Sequence, residues 1–222
     1  MSMDTRVFCF WTGTNALSSN RQRSLDMFAE RSGCPLVLVT EDTLKDWIVT
    51  PLHPAYPYLS FVHRSDYLRC YFMYHYGGGY TDIKPTTGSW KEAFATLEKT
   101  PDLWAIGYGE DSPDCIAIVP DAELYGRMRG VYARMLGNCS YICKRGTPFV
   151  NDWFQTVHSV LDAKYEALKA NPAQSPRDCT QNNPNYALRW TEICGDVFHP
   201  VCFRYLDHVA TGLPKPVCEH YQ

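Results

Sequence analysis

The chain of 222 residues has no long apolar run, and a membrane-spanning helix needs roughly 18 or more consecutive apolar residues. Its first residues, Met1 to Arg6, lack the apolar stretch of a secretory signal, so a cytoplasmic location is expected. Basic residues are not in excess: 21 Lys and Arg stand against 24 Asp and Glu, a net charge of −3. A cationic footprint for nucleic acid is therefore missing. There is no internal repeat and no low-complexity tract. Only Gly13 follows the first apolar run, where a phosphate-binding loop of the nucleotidyltransferase kind would be glycine-rich. The ten cysteines form no zinc framework, because the close pair Cys139 and Cys143 has no second pair at zinc-finger spacing. In a chain without a secretory signal, most of them are expected to be reduced and buried.

The remaining composition is that of an ordinary globular domain, 45% hydrophobic, 20% charged and 14% aromatic, with enough apolar side chains for one core. Arg6 to Trp11 reads as a first strand closed by Thr12-Gly13. Ser18 or Ser19 caps a helix to about Arg31, ended by Gly33, and Pro35 to Thr40 reads as a second strand. This strand–helix–strand order points to a parallel sheet covered by helices. Thr50 to Ser60 carries three prolines and reads as an irregular connection. Leu103 to Ile106 and Cys115 to Val119 are expected strands. Thr147-Pro148 opens a long helix to about Lys169, with Asp152 in its first turn, and Asn171 to Asn185 reads as a surface loop.

One segment concentrates chemistry: Ser65 to Lys84, SDYLRCYFMYHYGGGYTDIK. Ser65 reads as a helix N-cap, and Asp66 and Arg69, three apart, project from one helix face. Gly77 reads as the helix stop, and the three glycines allow a tight reversal. A short strand from Tyr80 to Ile83 then places Asp82 and Lys84 on one side. Helix start and strand end thus converge two acids, a guanidinium and an ammonium on one spot. A solvated salt-bridge cluster is the plain alternative.

This segment resembles GT-A glycosyltransferases whose helix reads S-D-x-x-R and whose strand reads Y-G-G-x-Y-x-D-x-D, a pattern shared by capsular-polysaccharide transferases, initiating mannosyltransferases and toxin glucosyltransferases. Phe8 to Trp11, the strand around Asn138 to Ile142 and Arg189-Trp190-Thr191-Glu192-Ile193 are similar more loosely. The resemblance implies a single α/β GT-A (Rossmann-like) domain over 1–222, with a mostly parallel central sheet and helices on both faces. Its donor-binding part is about 1–120 and its acceptor side about 121–222. It implies transfer of a sugar from a nucleotide diphosphate sugar, with uridine favoured, to a glycan or polysaccharide acceptor. By the same resemblance Asp66 and Arg69 contact the donor sugar and its phosphate. Asp82 faces the ribose and a divalent metal, Mn²⁺ or Mg²⁺, and Trp11 or Thr12 meets the base.

Lys84 stands where the pattern has its second aspartate. An ammonium cannot ligate a hard cation. Either Asp82 holds a metal together with His199 or His208 and the diphosphate, or Lys84 neutralises the leaving diphosphate as a point charge. A domain that binds a nucleotide sugar without turnover is a further reading. An inverting course needs a general base at the acceptor hydroxyl, for which Asp111, Glu192 and Asp196 are candidates.

Overall fold

The computed structural model describes residues 3–219; Met1 and Ser2 of the expected leaderless start lie outside them. Strand β1 (Val7–Trp11) runs into helix α1 (Ser19–Ser32) and back through β2 (Leu36–Thr40). The Ser18 side chain accepts from the Arg21 N–H at the start of α1, and Gly33 ends that helix at φ 67°. A short helix α2 (Glu41–Leu44) and an irregular stretch lead to helix α3 (Phe61–His75) and strand β3 (Gly78–Thr81). Then come α4 (Lys91–Lys99), β4 (Ala105–Gly109), α5 (Ala122–Gly130), β5 (Leu136–Cys143), α6 (Pro148–Ala170), α7 (Gly195–Arg204) and β6 (Val209–Thr211).

The strands form one sheet in the order β2-β1-β3-β5-β4-β6. The β1–β2, β1–β3 and β4–β6 ladders are parallel, and β5 runs against both β3 and β4. The sheet is thus mostly parallel, and β1, β3 and β4 end at the same edge. Alternation along β1 feeds two cores. Phe8 and Phe10 pack with Tyr71, Phe72, Phe149 and Phe198 on the side of α3, α6 and α7. Val7 packs with Phe28, Trp90 and Phe94 of the α1 and α4 side. Helices therefore cover both faces, as expected. No helix of the described residues is long and apolar enough to cross a membrane.

Several local expectations are corrected. Helix α3 begins four residues earlier than Ser65: Ser60 is the N-cap, accepting from the His63 N–H. The last proline of the preceding loop is Pro57, so nothing keeps Phe61 to Arg64 out of the helix. Cys115 to Val119 is not a strand. Its first residue closes a 3₁₀ turn from Pro113, and Ile118 is 68% exposed, which removes the drive to pair. Asp152 lies beyond the first turn of α6 and instead accepts from Tyr205 Oη at 2.7 Å. The loop 171–185 is tied down locally: the Asp178 carboxylate accepts from the backbone N–H groups of Gln174 and Ser175. All ten cysteines are free thiols, most of them buried.

The three glycines have separate duties. Gly77 and Gly78 both take positive φ, 67° and 80°, turning the chain from α3 into β3. Gly79 has ordinary backbone, but a Cβ there would meet Val7 Cγ2 at 2.9 Å and Trp90 at 3.2 Å. At Gly78 a Cβ would lie 2.8 Å from the Arg6 carbonyl oxygen, which is backbone and cannot swing aside. Gly78→Ala is expected to lower the unfolding free energy by about 1–3 kcal/mol, read from a urea melt. An unchanged midpoint would show that the reversal tolerates a side chain.

Candidate functional site

The C-terminal ends of β1 and β3 meet the first turns of α3 at one edge of the sheet, where open α/β sheets place their ligands. A cavity of about 470 Å³ opens there, within the range of small-molecule sites. Its lining includes Trp11, Thr12, Asn15, Arg21, Phe61, Ser65, Arg69, Tyr80, Asp82, Arg177 and Trp190. β1 delivers Trp11, α3 delivers Arg69, and the turn after β3 delivers Asp82.

Asp82 is the centre of the charged cluster. Its Oδ1 accepts from Tyr80 Oη at 2.6 Å and lies 3.2 Å from Arg69 Nη2. Its Oδ2 is 3.0 Å from Lys84 Nζ. Arg69 Nη2 also reaches Asp66 Oδ1 at 3.1 Å, and Arg69 Nη1 donates to the Asn138 carbonyl at 3.1 Å. The guanidinium lies over the Tyr80 ring, 4.8 Å from its centroid, and Tyr80 in turn stacks on Phe10. Lys84 Nζ also donates to Cys139 Sγ at 3.1 Å.

The convergence of Asp82 and Lys84 is real, but its cause is not strand alternation. β3 ends at Thr81, and the Lys84 N–H donates to the Asp82 carbonyl at 2.6 Å, closing a tight turn that folds the ammonium back onto the carboxylate. Ile83 between them is buried against Cys9 and Leu25, which anchors the turn, and the Asp82 N–H donates to the Cys139 carbonyl.

Burial pulls on every group here, and the charges decide which way each one goes. Burial tends to raise the Asp82 pKa, yet Arg69 and Lys84 outweigh it and hold the carboxyl below its ordinary value. For Asp66, burial wins over Arg69 and the pKa rises. Burial opposes the charge on Lys84, but Asp82 and Cys139 more than compensate and its pKa rises. Cys139 is pushed up to about 11, mainly by burial, so Lys84 donates to a neutral thiol. At neutral pH the core of the site is an Asp82 carboxylate clasped by two cations.

The structure separates the expected site residues into those that reach the cavity and those behind it. Arg69 and Asp82 line it, as does the partly exposed Trp11. Thr12 lines it as well, but its hydroxyl donates to the Phe61 carbonyl at 2.7 Å, so it holds β1 to α3. Asp66 is 3% exposed and sits behind Arg69, outside the lining. Lys84 also lies behind Asp82.

None of the three expected base candidates lines the cavity. Glu192 accepts from the Arg189 N–H at 2.8 Å and pairs with Lys164 at 3.3 Å; it closes a turn instead. Asp196 lies 2.7 Å from Arg189 Nη2, and Asp111 pairs with Lys215. Among the described residues, Asp82 is the one carboxylate in the lining. Residues that sequence reasoning passed over are Arg21, Arg177, Phe61 and Tyr80. Tyr80 stood in the quoted pattern, two before Asp82, but the loop arginine and the helix arginine carried no spacing signal.

A metal held by Asp82 does not fit this donor set. A hard dication calls for several oxygen ligands, whereas Asp82 is flanked by a guanidinium, an ammonium and a phenol. Among the described residues no three His, Cys, Asp or Glu side chains come together as a metal site. His199 is fully buried, and its Nδ1 accepts from the Ala117 N–H at 2.9 Å. Its Nε2 lies 3.1 Å from Asn138 Nδ2 and 3.4 Å from Glu110 Oε1, so both ring nitrogens are already engaged within the protein. His208 stacks on Trp104 at 3.7 Å. These two residues precede β6 and β4 and so lie at the opposite edge of the sheet.

Residues 15–85 match the family described as the glycosyltransferase sugar-binding region containing a DXD motif, a span that includes α3 and the turn at Asp82. No curated protein matches the chain. A solved structure of PaToxG glycosyltransferase superposes with a TM-score of 0.50 at 11% identity, covering 91% of this chain and 69% of that one. At that identity the likeness is one of fold.

Arg69 is the shared counter-ion of two carboxylates. Arg69→Met removes one partner from a largely buried cluster and is expected to cost about 3–5 kcal/mol in a urea melt. Adding Asp66→Asn should recover part of that loss. A double variant no more stable than Arg69→Met would show that the Asp66 pair is not coupled.

Proposed function

We propose that the chain transfers a sugar from a nucleotide diphosphate sugar, of the UDP type, to a glycan acceptor. The observation that carries this reading is the Asp82 cluster, set at the strand-end edge within the span that matches a sugar-binding region. Residues 1–120 supply the donor side of the cavity, and Arg177 and Trp190 bring part of 121–222 over it.

In such a reaction the bond between the anomeric carbon and the diphosphate oxygen breaks, and its electron pair leaves with the nucleoside diphosphate. The acceptor hydroxyl oxygen bonds to that carbon and its proton is released to the diphosphate or to water. Negative charge grows on the phosphate, so cations fixed beforehand lower the barrier. Arg69 lines the cavity and is held rigidly by Asp66, Asp82 and the Asn138 carbonyl, which satisfies that need. Trp11 offers a ring face to the base, with its Nε1–H tied to the Asn15 carbonyl at 2.7 Å. Asp82 faces the ribose and sugar, while Asp66 acts through Arg69 as a positioning residue. Binding without turnover is the second reading, favoured by the ammonium of Lys84 at the position of a DXD carboxylate.

The test is calorimetric titration with UDP and a panel of UDP-sugars, followed by an assay for released UDP. Trp11→Ala is expected to weaken UDP binding by about 10- to 100-fold, the worth of one base–aromatic stack. Asp82→Asn is expected to abolish UDP release from the sugar donor while retaining the far-UV circular dichroism spectrum. UDP binding with no release from any donor in the wild-type protein would favour the binding domain. Failure of UDP and of GDP to bind would overturn the donor-site reading.

A further inference from the structure

The family that residues 15–85 match is described by a DXD motif, and in this chain the corresponding residues read Asp82-Ile83-Lys84. We infer that this site holds its donor diphosphate without a divalent cation, Lys84 supplying the charge that a second carboxylate and its metal supply together. The inference rests on the reading of the cavity as a nucleotide-sugar site.

Charge carries the argument. A carboxylate together with a bound dication contributes one net positive charge, and an ammonium contributes the same. Lys84 Nζ is already 3.0 Å from Asp82 Oδ2, so the carboxylate that would share a metal with the diphosphate has its counter-ion. A dication brought to Asp82 would enter a largely buried space beside Arg69 and Lys84. It would meet two like charges in a medium that screens poorly. A metal in such a site bridges two anions. Here the protein anion is neutralised from behind, and the cavity itself is cationic.

The lining supports this directly. Among the described residues, Arg21, Arg69 and Arg177 line the cavity against the one carboxylate of Asp82. They come from α1, from α3 and from the loop before α7, so they approach from separate sides. Arg21 Nη1 also donates to the Ile83 carbonyl at 3.4 Å, which ties it to the turn that carries Lys84. Guanidinium groups match phosphate oxygens in planar, paired hydrogen bonds. Together the three arginines supply the positive charge that a metal would otherwise supply; Arg69 does so through its charge alone, because its Nη groups are taken by Asp66, Asp82 and the Asn138 carbonyl. His199 and His208, the other groups able to complete a metal shell by sequence, are committed elsewhere.

The experiment titrates UDP into the wild-type protein and the Lys84→Asp variant, once with Mn²⁺ and once with EDTA. Manganese electron paramagnetic resonance is recorded on the same samples. For the wild type, the Kd for UDP is expected to agree within about threefold between the two conditions, with no protein-bound manganese beyond that held by free UDP. Lys84→Asp is expected to lose at least about tenfold in EDTA and to recover it with Mn²⁺. Wild-type binding that needs Mn²⁺, or a stoichiometric protein-bound manganese signal, overturns this inference while leaving the donor site standing. Absence of UDP binding in both conditions overturns the donor reading and this inference with it. If Lys84→Asp does not fold, the wild-type comparison alone decides.

Discussion

The Asp82 carboxylate sits at the end of the central strand β3, gripped by Arg69 on one oxygen and Lys84 on the other. A lone carboxylate at that depth would be expensive to ionise. The two cations make ionisation favourable, and Tyr80 adds a short hydrogen bond. Much of the neighbouring architecture follows from keeping that arrangement intact. Arg69 must leave α3 at the right height, so the helix is capped at Ser60 and stopped at the first of three glycines. Lys84 must turn back, so Ile83 is sunk between Cys9 and Leu25.

The same contacts couple the two halves of the chain. Arg69 reaches across to the Asn138 carbonyl on β5, and Lys84 reaches Cys139 on the same strand. β5 is the antiparallel strand that joins the β1–β3 side of the sheet to β4 and β6. His63 of α3 bonds to Tyr186 Oη and to the Arg189 carbonyl, and the Val62 N–H donates to the Pro176 carbonyl. The loop that carries Arg177 and Trp190 is thereby pinned to the helix that carries Arg69. The cavity walls are fixed relative to one another before any ligand arrives, which lowers the ordering cost of binding.

Charge organisation also distinguishes the front of the site from its back. The cavity faces outward with arginines and one carboxylate, while Asp66, Lys84 and Cys139 stand behind and set the electrostatics. Glu192 illustrates the difference between a conspicuous acid and a placed one. It lies beside a tryptophan that lines the cavity, yet its oxygens are taken by Arg189 and Lys164, and it serves the turn.

Much of the cavity wall formed by β1, α3 and β3 was legible in the linear order of residues, because its determinants are local. A glycine stop and a three-residue spacing fix which side chains leave α3 together, although the cap lies at Ser60 and not at Ser65, and the strand-helix-strand order fixes a parallel sheet. Aromatic Phe8 and Phe10 alternate with Val7 and Cys9, so a sheet covered on both faces was also written in the pattern. The failures have equally physical causes. Cys115 to Val119 has strand-like residues, but no neighbour in the sheet receives it. Asp82 and Lys84 meet through a turn that alternation does not describe. Arg21 and Arg177 come to the cavity from positions 156 residues apart in number, and no local rule relates them. Sequence determined which groups could ionise and which helix would carry the first of them. Only the packed sheet decided which of those charges face a ligand and which neutralise one another, because that depends on distances between strands that are neighbours in space and far apart along the chain.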